Sequence, residues 1–333
     1  MTSMTHVQLG TTGMPVSRLA LGTATFGGQC DEELSFRILD YAHELGITLL
    51  DTADKYPLGS SFESAGISEA IVGRWVSSRK ASVVIATKVH GPTGPHPWDQ
   101  GLGRRHIREA VEASLRRLQV DAIDLYQLHR PDPSTPIEET LEVLTDLVRE
   151  GKVRYVGCSN FLAYQVARAL GRSEAKGLVS FASVQPRYNL LFRQHERELM
   201  PLCTEAGLGV LPYNLLAGGL LSGKHTRGLP PAASTRFAST GAAELYRERY
   251  WNDAAFDAVE QIAVEATDLG LTLPVLAAAW VLHQPVVTSA IVGVTRPEHL
   301  DAPYAALQVH LEPSALARLD LITRAFREGD AVQ

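Results

Sequence analysis

Two rhythms of apolar and polar positions alternate along this chain. Short apolar, β-branched runs that stop on a polar residue read as buried strands, and longer stretches with apolar positions three and four apart read as helices packed on one face. Strands are expected at 18–22, 48–56, 82–88, 122–129, 153–160, 181–185, 208–213 and 287–292. Between and after them helices are expected at 31–45, 68–78, 105–118, 137–150, 162–170, 196–206, 253–269, 274–283 and 297–307. The helix at 31–45 shows the pattern well, with apolar residues at 34, 38, 39, 42 and 45 and Gly46 to stop it.

Two short apolar pieces, 7–9 and 14–16, flank a segment with two glycines and predict a hairpin ahead of this alternation; a further helix at about 313–326 follows it. Eight strands each followed by a helix, with no change of composition and no linker, predict one closed (β/α)8 TIM barrel of the α/β class, with an N-terminal β-hairpin and a C-terminal extra helix. Residues 1–333 are read as a single domain. Three connections, 57–67, 91–103 and 223–251, are too long for plain turns, and such loops at the strand ends of a barrel wall its site.

Composition narrows the function classes. The chain has 333 residues, 45% hydrophobic and 20% charged, with a net charge of -6, which suits a globular protein and argues against a nucleic-acid binder. Cys30, Cys158 and Cys203 are odd in number, widely spaced and free of any C-x-x-C, so neither a disulfide framework nor a metal site is expected. The N-terminus lacks the basic stretch and apolar core of a signal peptide, and the longest apolar run, 275–282, is too short to cross a bilayer. A cytoplasmic protein that meets no membrane is the expectation.

In a barrel the carboxyl ends of all parallel strands converge at one mouth. Asp51, Tyr56, Lys88 and His129 stand at or just beyond three consecutive strand ends and should meet there. Singly, each has an ordinary reading as a turn cap, a solvated lysine or a satisfied core histidine; together they make chemical sense. A tyrosine phenol is a poor acid at neutral pH unless a nearby cation favours phenolate. Lys88 can supply that cation, Asp51 can hold the lysine, and His129 can donate to a carbonyl oxygen. None of them carries a hydride, so a nicotinamide must be brought in.

With these residues the chain resembles the aldo-keto reductases, NADPH-dependent (β/α)8-barrel oxidoreductases with bacterial members. The likeness runs from Leu9-Gly10-Thr11-Thr12-Gly13 to Arg296-Pro297-Glu298-His299-Leu300, through Leu50-Asp51-Thr52-Ala53-Asp54-Lys55-Tyr56, Ile85-Ala86-Thr87-Lys88, Asp124-Leu125-Tyr126-Gln127-Leu128-His129 and Gly157-Cys158-Ser159-Asn160-Phe161. The resemblance implies reduction of a ketone or aldehyde, with Asp51, Tyr56, Lys88 and His129 as the catalytic tetrad and Tyr56 as proton donor. It also implies NADPH (NADP+) as cofactor: Ser159, Asn160 and Gln185 on the nicotinamide carboxamide, Tyr213 stacked on the ring, and 215–224 closing over the pyrophosphate. Gly293, Thr295 and Arg296 then match the segment for the 2′-phosphate. Gly22, Thr23, Asn214, Leu216, Gly218, Lys224, Arg236 and His299 complete the implied cofactor set. Asn214-Leu215 stands where the family commonly has Ser-Pro, and Ala302 and Pro303 where it often has Glu and Asn.

Gly218-Gly219-Leu220-Leu221-Ser222-Gly223-Lys224 fits the first seven positions of a P-loop, but His225 replaces the Ser/Thr that would hold magnesium. Phe26, Trp98 and Arg130 are the candidate walls for a small-molecule carbonyl substrate, and Arg130 could meet an anionic or polyhydroxylated group. The long 57–67 segment resembles bacterial members that act on ketosugars, secondary metabolites or xenobiotic ketones. A different class of function also fits: a non-enzymatic, NADPH-sensing subunit resembling the β-subunits of potassium channels.

Overall fold

The computed structural model describes residues 4–59, 61–233, 235–238 and 242–328. Strands β1 (His6–Gln8) and β2 (Pro15–Ser17) pair antiparallel as the predicted hairpin. Eight parallel strands follow: β3 (Leu19–Gly22), β4 (Leu49–Asp51), β5 (Val84–Val89), β6 (Ile123–Leu128), β7 (Val153–Ser159), β8 (Ser183–Gln185), β9 (Gly209–Val210) and β10 (Ala290–Gly293). Their order is β10-β3-β4-β5-β6-β7-β8-β9, and single bridges from Val210 to Val287 and from Tyr213 to Ile291 join the two ends. The sheet is therefore the predicted (β/α)8 TIM barrel.

Its strands read as continuous apolar runs because both faces are covered. An inner core of Ala20, Leu49, Ala86, Leu125, Leu211 and Ile291 is sealed from below by Leu9, Met14 and Val16 of the hairpin segment. Gly10 makes that seal possible, since a Cβ there would lie 2.5 Å from the Gly207 carbonyl oxygen. An outer core lies between the strands and a ring of helices: α1 (Glu32–Glu44), α2 (Ile67–Arg79), α3 (Arg104–Leu118), α4 (Ile137–Arg149), α5 (Ala163–Lys176) and α6 (Leu199–Ala206). Asp31 caps α1, accepting from the Leu34 amide at 2.8 Å.

The later part departs from simple alternation. α7 (Ala243–Tyr250) arises inside the long 223–251 segment, where no helix was expected, and buries Ala243, Tyr246 and Tyr250. After it come α8 (Asp253–Asp268), α9 (Leu273–His283), α10 (Asp301–Ala306), α11 (Pro313–Thr323) and α12 (Ala325–Glu328). The expected strand at 208–213 shrinks to two residues, because Pro212 has no amide to give the ladder. The expected helix at 297–307 begins as a 3-10 turn, Pro297–Leu300, and the one at 196–206 is preceded by another, Gln194–Glu196. Helix α5 runs past the expected 170 to Lys176; Gly171 inside it faces open space. Among the described residues no single helix is long and apolar enough to cross a membrane.

Candidate active site

The upper end of the barrel brings together the four residues picked from strand ends. Asp51 closes β4 and Lys88 lies on β5, whose register sets Lys88 beside Gln127 of β6. Lys88 is fully buried; its Nζ donates to Asp51 Oδ2 at 2.6 Å and to the Thr52 carbonyl at 2.8 Å. The Tyr56 hydroxyl lies 3.5 Å from the same Nζ, a long contact, and Nζ sits 4.9 Å from the Tyr56 ring centre. Tyr56 and His129 meet edge to face at 5.7 Å.

Protonation at the site follows from burial and charge. Burial pushes the Lys88 amine towards neutrality, but Asp51 and Tyr56 reverse this and its pKa is raised overall. For Tyr56 the balance differs from the expectation: burial, aided by Asp51, outweighs the Lys88 cation, and the phenol lies above its ordinary value. Tyr56 therefore holds its proton at neutral pH. Burial, then Lys88, Lys55, His90 and Arg130, keeps the His129 imidazole well below its usual value, hence neutral.

Behind the lysine stands a layer of two glutamines, of which the sequence pointed to Gln185 alone, and for the cofactor instead of for Asp51. Asp51 Oδ1 accepts from Gln185 at 2.8 Å and from Gln127 at 3.3 Å, so both carboxylate oxygens are occupied. Gln127 lies two residues before His129 in a strand whose side chains alternate; that spacing was the available signal.

The neighbouring rim holds the expected nicotinamide residues. The Ser159 hydroxyl donates to the Gln185 carbonyl at 2.8 Å, and the Asn160 amide donates to the His129 carbonyl at 2.8 Å and to Ser159 Oγ at 3.0 Å. Tyr213 donates from its hydroxyl to Asn160 Oδ1 at 2.8 Å. Asn160 and Asn214 both take left-handed backbone, with φ of 61° and 68°. The Asn214 side chain serves its own loop, accepting from the Gly218 amide at 2.6 Å and donating to the Tyr250 hydroxyl at 2.9 Å. Gly22 lies against Ile291, where a Cβ would come within 2.9 Å, and Leu216 packs against the outer core. Thr23 is fully buried; its hydroxyl donates to the Asp51 carbonyl at 3.2 Å and accepts from Ser68 at 2.8 Å, which ties β3 to β4.

Farther round, Lys224, Arg236 and Arg296 converge. Desolvation and the charges of Arg296 and Arg236 lower the pKa of Lys224. Arg236 lies against Gly293, where a Cβ would come within 2.7 Å of its guanidinium, and donates to the Tyr246 hydroxyl at 3.1 Å. Arg296 is exposed, with Glu298 at 3.9 Å. His299 turns its Nδ1 towards the Thr295 amide at 3.3 Å. A convergence of cations with two glycines in left-handed backbone, Gly218 and Gly219, fits a phosphate-bearing cofactor. The P-loop likeness fails on structure as well, since residues Ala217–Ser222 form 3-10 turns instead of opening an α-helix.

Among the candidate walls, Phe26 is a correction: it is fully buried in the outer core and cannot face an open cleft. Trp98 is 47% exposed, and Arg130 is exposed next to His129. Outside the tetrad, Asp54 is buried with neither oxygen in hydrogen-bond geometry; burial and Glu69 push its pKa well up, against the pull of Arg117 and the His90 amide.

The Aldo/keto reductase family matches residues 18–324. An uncharacterized oxidoreductase of Bacillus subtilis, YrpG, is 38% identical over 95% of both chains. A probable voltage-gated potassium channel subunit beta of Arabidopsis thaliana is 36% identical over 97% of both, and the protein tas of Escherichia coli is 33% identical over 97% of this chain and 99% of its own.

Proposed function

Because the chain belongs to the aldo/keto reductase family, we propose that it is a cytoplasmic enzyme that reduces a ketone or aldehyde to an alcohol with NADPH. The observation that carries this reading is the buried Asp51–Lys88–Tyr56 series beside a neutral His129. Ser159, Asn160, Gln185 and Tyr213 would hold the nicotinamide end, and Lys224, Arg236 and Arg296 the phosphates. NADPH held there would supply the hydride. His129, neutral and so a donor from one ring nitrogen, orients the carbonyl oxygen towards Tyr56. As negative charge grows on that oxygen, Tyr56 gives up its proton, and Lys88 stabilises the phenolate left behind. Asp51 keeps Lys88 charged and fixed, itself held by Gln127 and Gln185. Absorbance at the NADPH band across a panel of aldehydes and ketones tests the reading, with reversal checked using NADP+ and the product alcohol.

The relatives named as potassium channel β-subunits favour one second reading, a subunit that binds NADPH without turnover. Tight NADPH binding with no oxidation on any carbonyl of the panel would decide for it.

A further inference from the structure

A cleft of about 660 Å³ opens between the end of β5, the start of α3 and the turn after β6. Its walls include His90, Trp98, Arg105, His106, Arg130 and Asp132. Arg130 follows His129 and His90 lies two residues beyond Lys88, and both are near enough for their charges to act on His129. Lys55, which precedes Tyr56, runs along Gly91, where a Cβ would come within 2.4 Å of the lysine stem.

We propose that this cleft binds an anionic substituent of the carbonyl substrate, a carboxylate or phosphate monoester, with Arg130 as the recognising residue. The inference rests on the reductase reading and adds a substrate class to it. Arg130 donates from Nε to His90 Nδ1 at 3.1 Å, and its guanidinium pairs with no carboxylate among the described residues. Its neighbours differ in this respect. Arg104 meets Glu142 and Asp146 at 3.1 Å each, and Arg105 meets Glu109 at 3.0 Å. The carboxylates in the cleft wall are already engaged. Asp132 accepts from the Leu102 and Ser134 amides at 2.8 and 2.9 Å and from the Thr135 hydroxyl at 2.8 Å; Glu139 accepts from the Arg104 amide at 3.0 Å. These bonds, with Pro131 and Pro133, fix the turn that presents Arg130.

The 15-residue helix α3 starts at the cleft wall, and Glu139 already occupies its positive end through the Arg104 amide. A guanidinium fork matches either a carboxylate or a phosphate in bidentate fashion. Trp98, stacked on His96 at 4.9 Å with the Arg105 guanidinium 5.0 Å from its ring centre, offers an aromatic wall to the body of the substrate.

The test compares kcat/KM of the NADPH-loaded protein for 4-carboxybenzaldehyde, 4-formylphenyl phosphate and neutral methyl 4-formylbenzoate. We expect at least one anionic aldehyde to exceed the ester by tenfold or more, chiefly through KM, and the better of the two identifies the anion. In Arg130→Met that ratio should fall to near one, while Arg130→Lys, which keeps charge without the fork, should retain part of it. Should the methionine variant fail to fold, as judged by NADPH fluorescence, the lysine variant and the salt dependence of the wild-type KM for the anionic aldehyde carry the test. Reduction of the ester without preference for either anion, or a preference that survives Arg130→Met, overturns the proposal and leaves the reductase intact. Bound NADPH with no reduction of these three or of any other carbonyl of the panel overturns both.

Discussion

Two lysines on one barrel mouth are held in opposite ways. Lys88 is buried, paired at 2.6 Å with Asp51, and its ammonium is favoured; Lys224 stands near Arg236 and Arg296, and its ammonium is disfavoured. The first has its counter-charge built into β4. The second lacks one among the described residues, where no carboxylate pairs with it. A charge satisfied within the fold is fixed before any ligand arrives, whereas a cation set against other cations is relieved when an anion binds. The β4–β6 side of the mouth is thus assembled in advance, whereas the β10 side would be completed by the cofactor proposed for it.

The largest break in this contrast should come from Lys88→Met. It leaves the Asp51 carboxylate buried with amide donors only, and unfolding by urea should show a loss of about 3–5 kcal/mol, with turnover abolished. A loss under about 1 kcal/mol would mean that the buried pair adds little to stability. Next, Tyr56→Phe should lower kcat by about 10²–10⁴-fold while NADPH affinity stays put, because the hydroxyl acts on the carbonyl and has only a long contact to Lys88. Normal turnover in that variant would remove Tyr56 as proton donor.

On the other side, Arg296→Ala should weaken NADPH about tenfold, near 1.4 kcal/mol, and NADH much less, since only NADPH carries the 2′-phosphate. Equal losses for both would refute the assignment. The smallest effect concerns pH. The free protein disfavours the Lys224 ammonium and a phosphate dianion favours it, so near and above that lowered pKa binding takes up a proton. NADPH affinity should therefore fall as pH rises through the lowered pKa of Lys224, and Lys224→Met should flatten the curve measured by fluorescence titration.

The alternation of apolar runs and helical spacing was enough to read the barrel, because every parallel strand buries both faces and every helix buries one. Asp51, Lys88 and His129 were legible for the same reason: a polar residue that ends an apolar strand stands out. Helix α7 was not, since its buried residues, Ala243, Tyr246 and Tyr250, are few and set in a segment rich in charge. The direction of the Tyr56 shift escaped too, because how far burial outweighs a neighbouring cation depends on depth, which spacing does not encode. Phe26 failed in the opposite way: an aromatic after a strand end looks the same in sequence whether it turns to the cleft or to the core.

The tryptophans give the molecule an optical gauge. Trp75 and Trp280 are 1% and 2% exposed, Trp251 is half-buried, and Trp98 stands 47% exposed at the lip of the cleft beside Arg105. Iodide, a quencher that must collide with its target, should extinguish the Trp98 part of the emission first. A molecule lying in the cleft should shield that part, so that occupancy can be followed as light, without a single turnover.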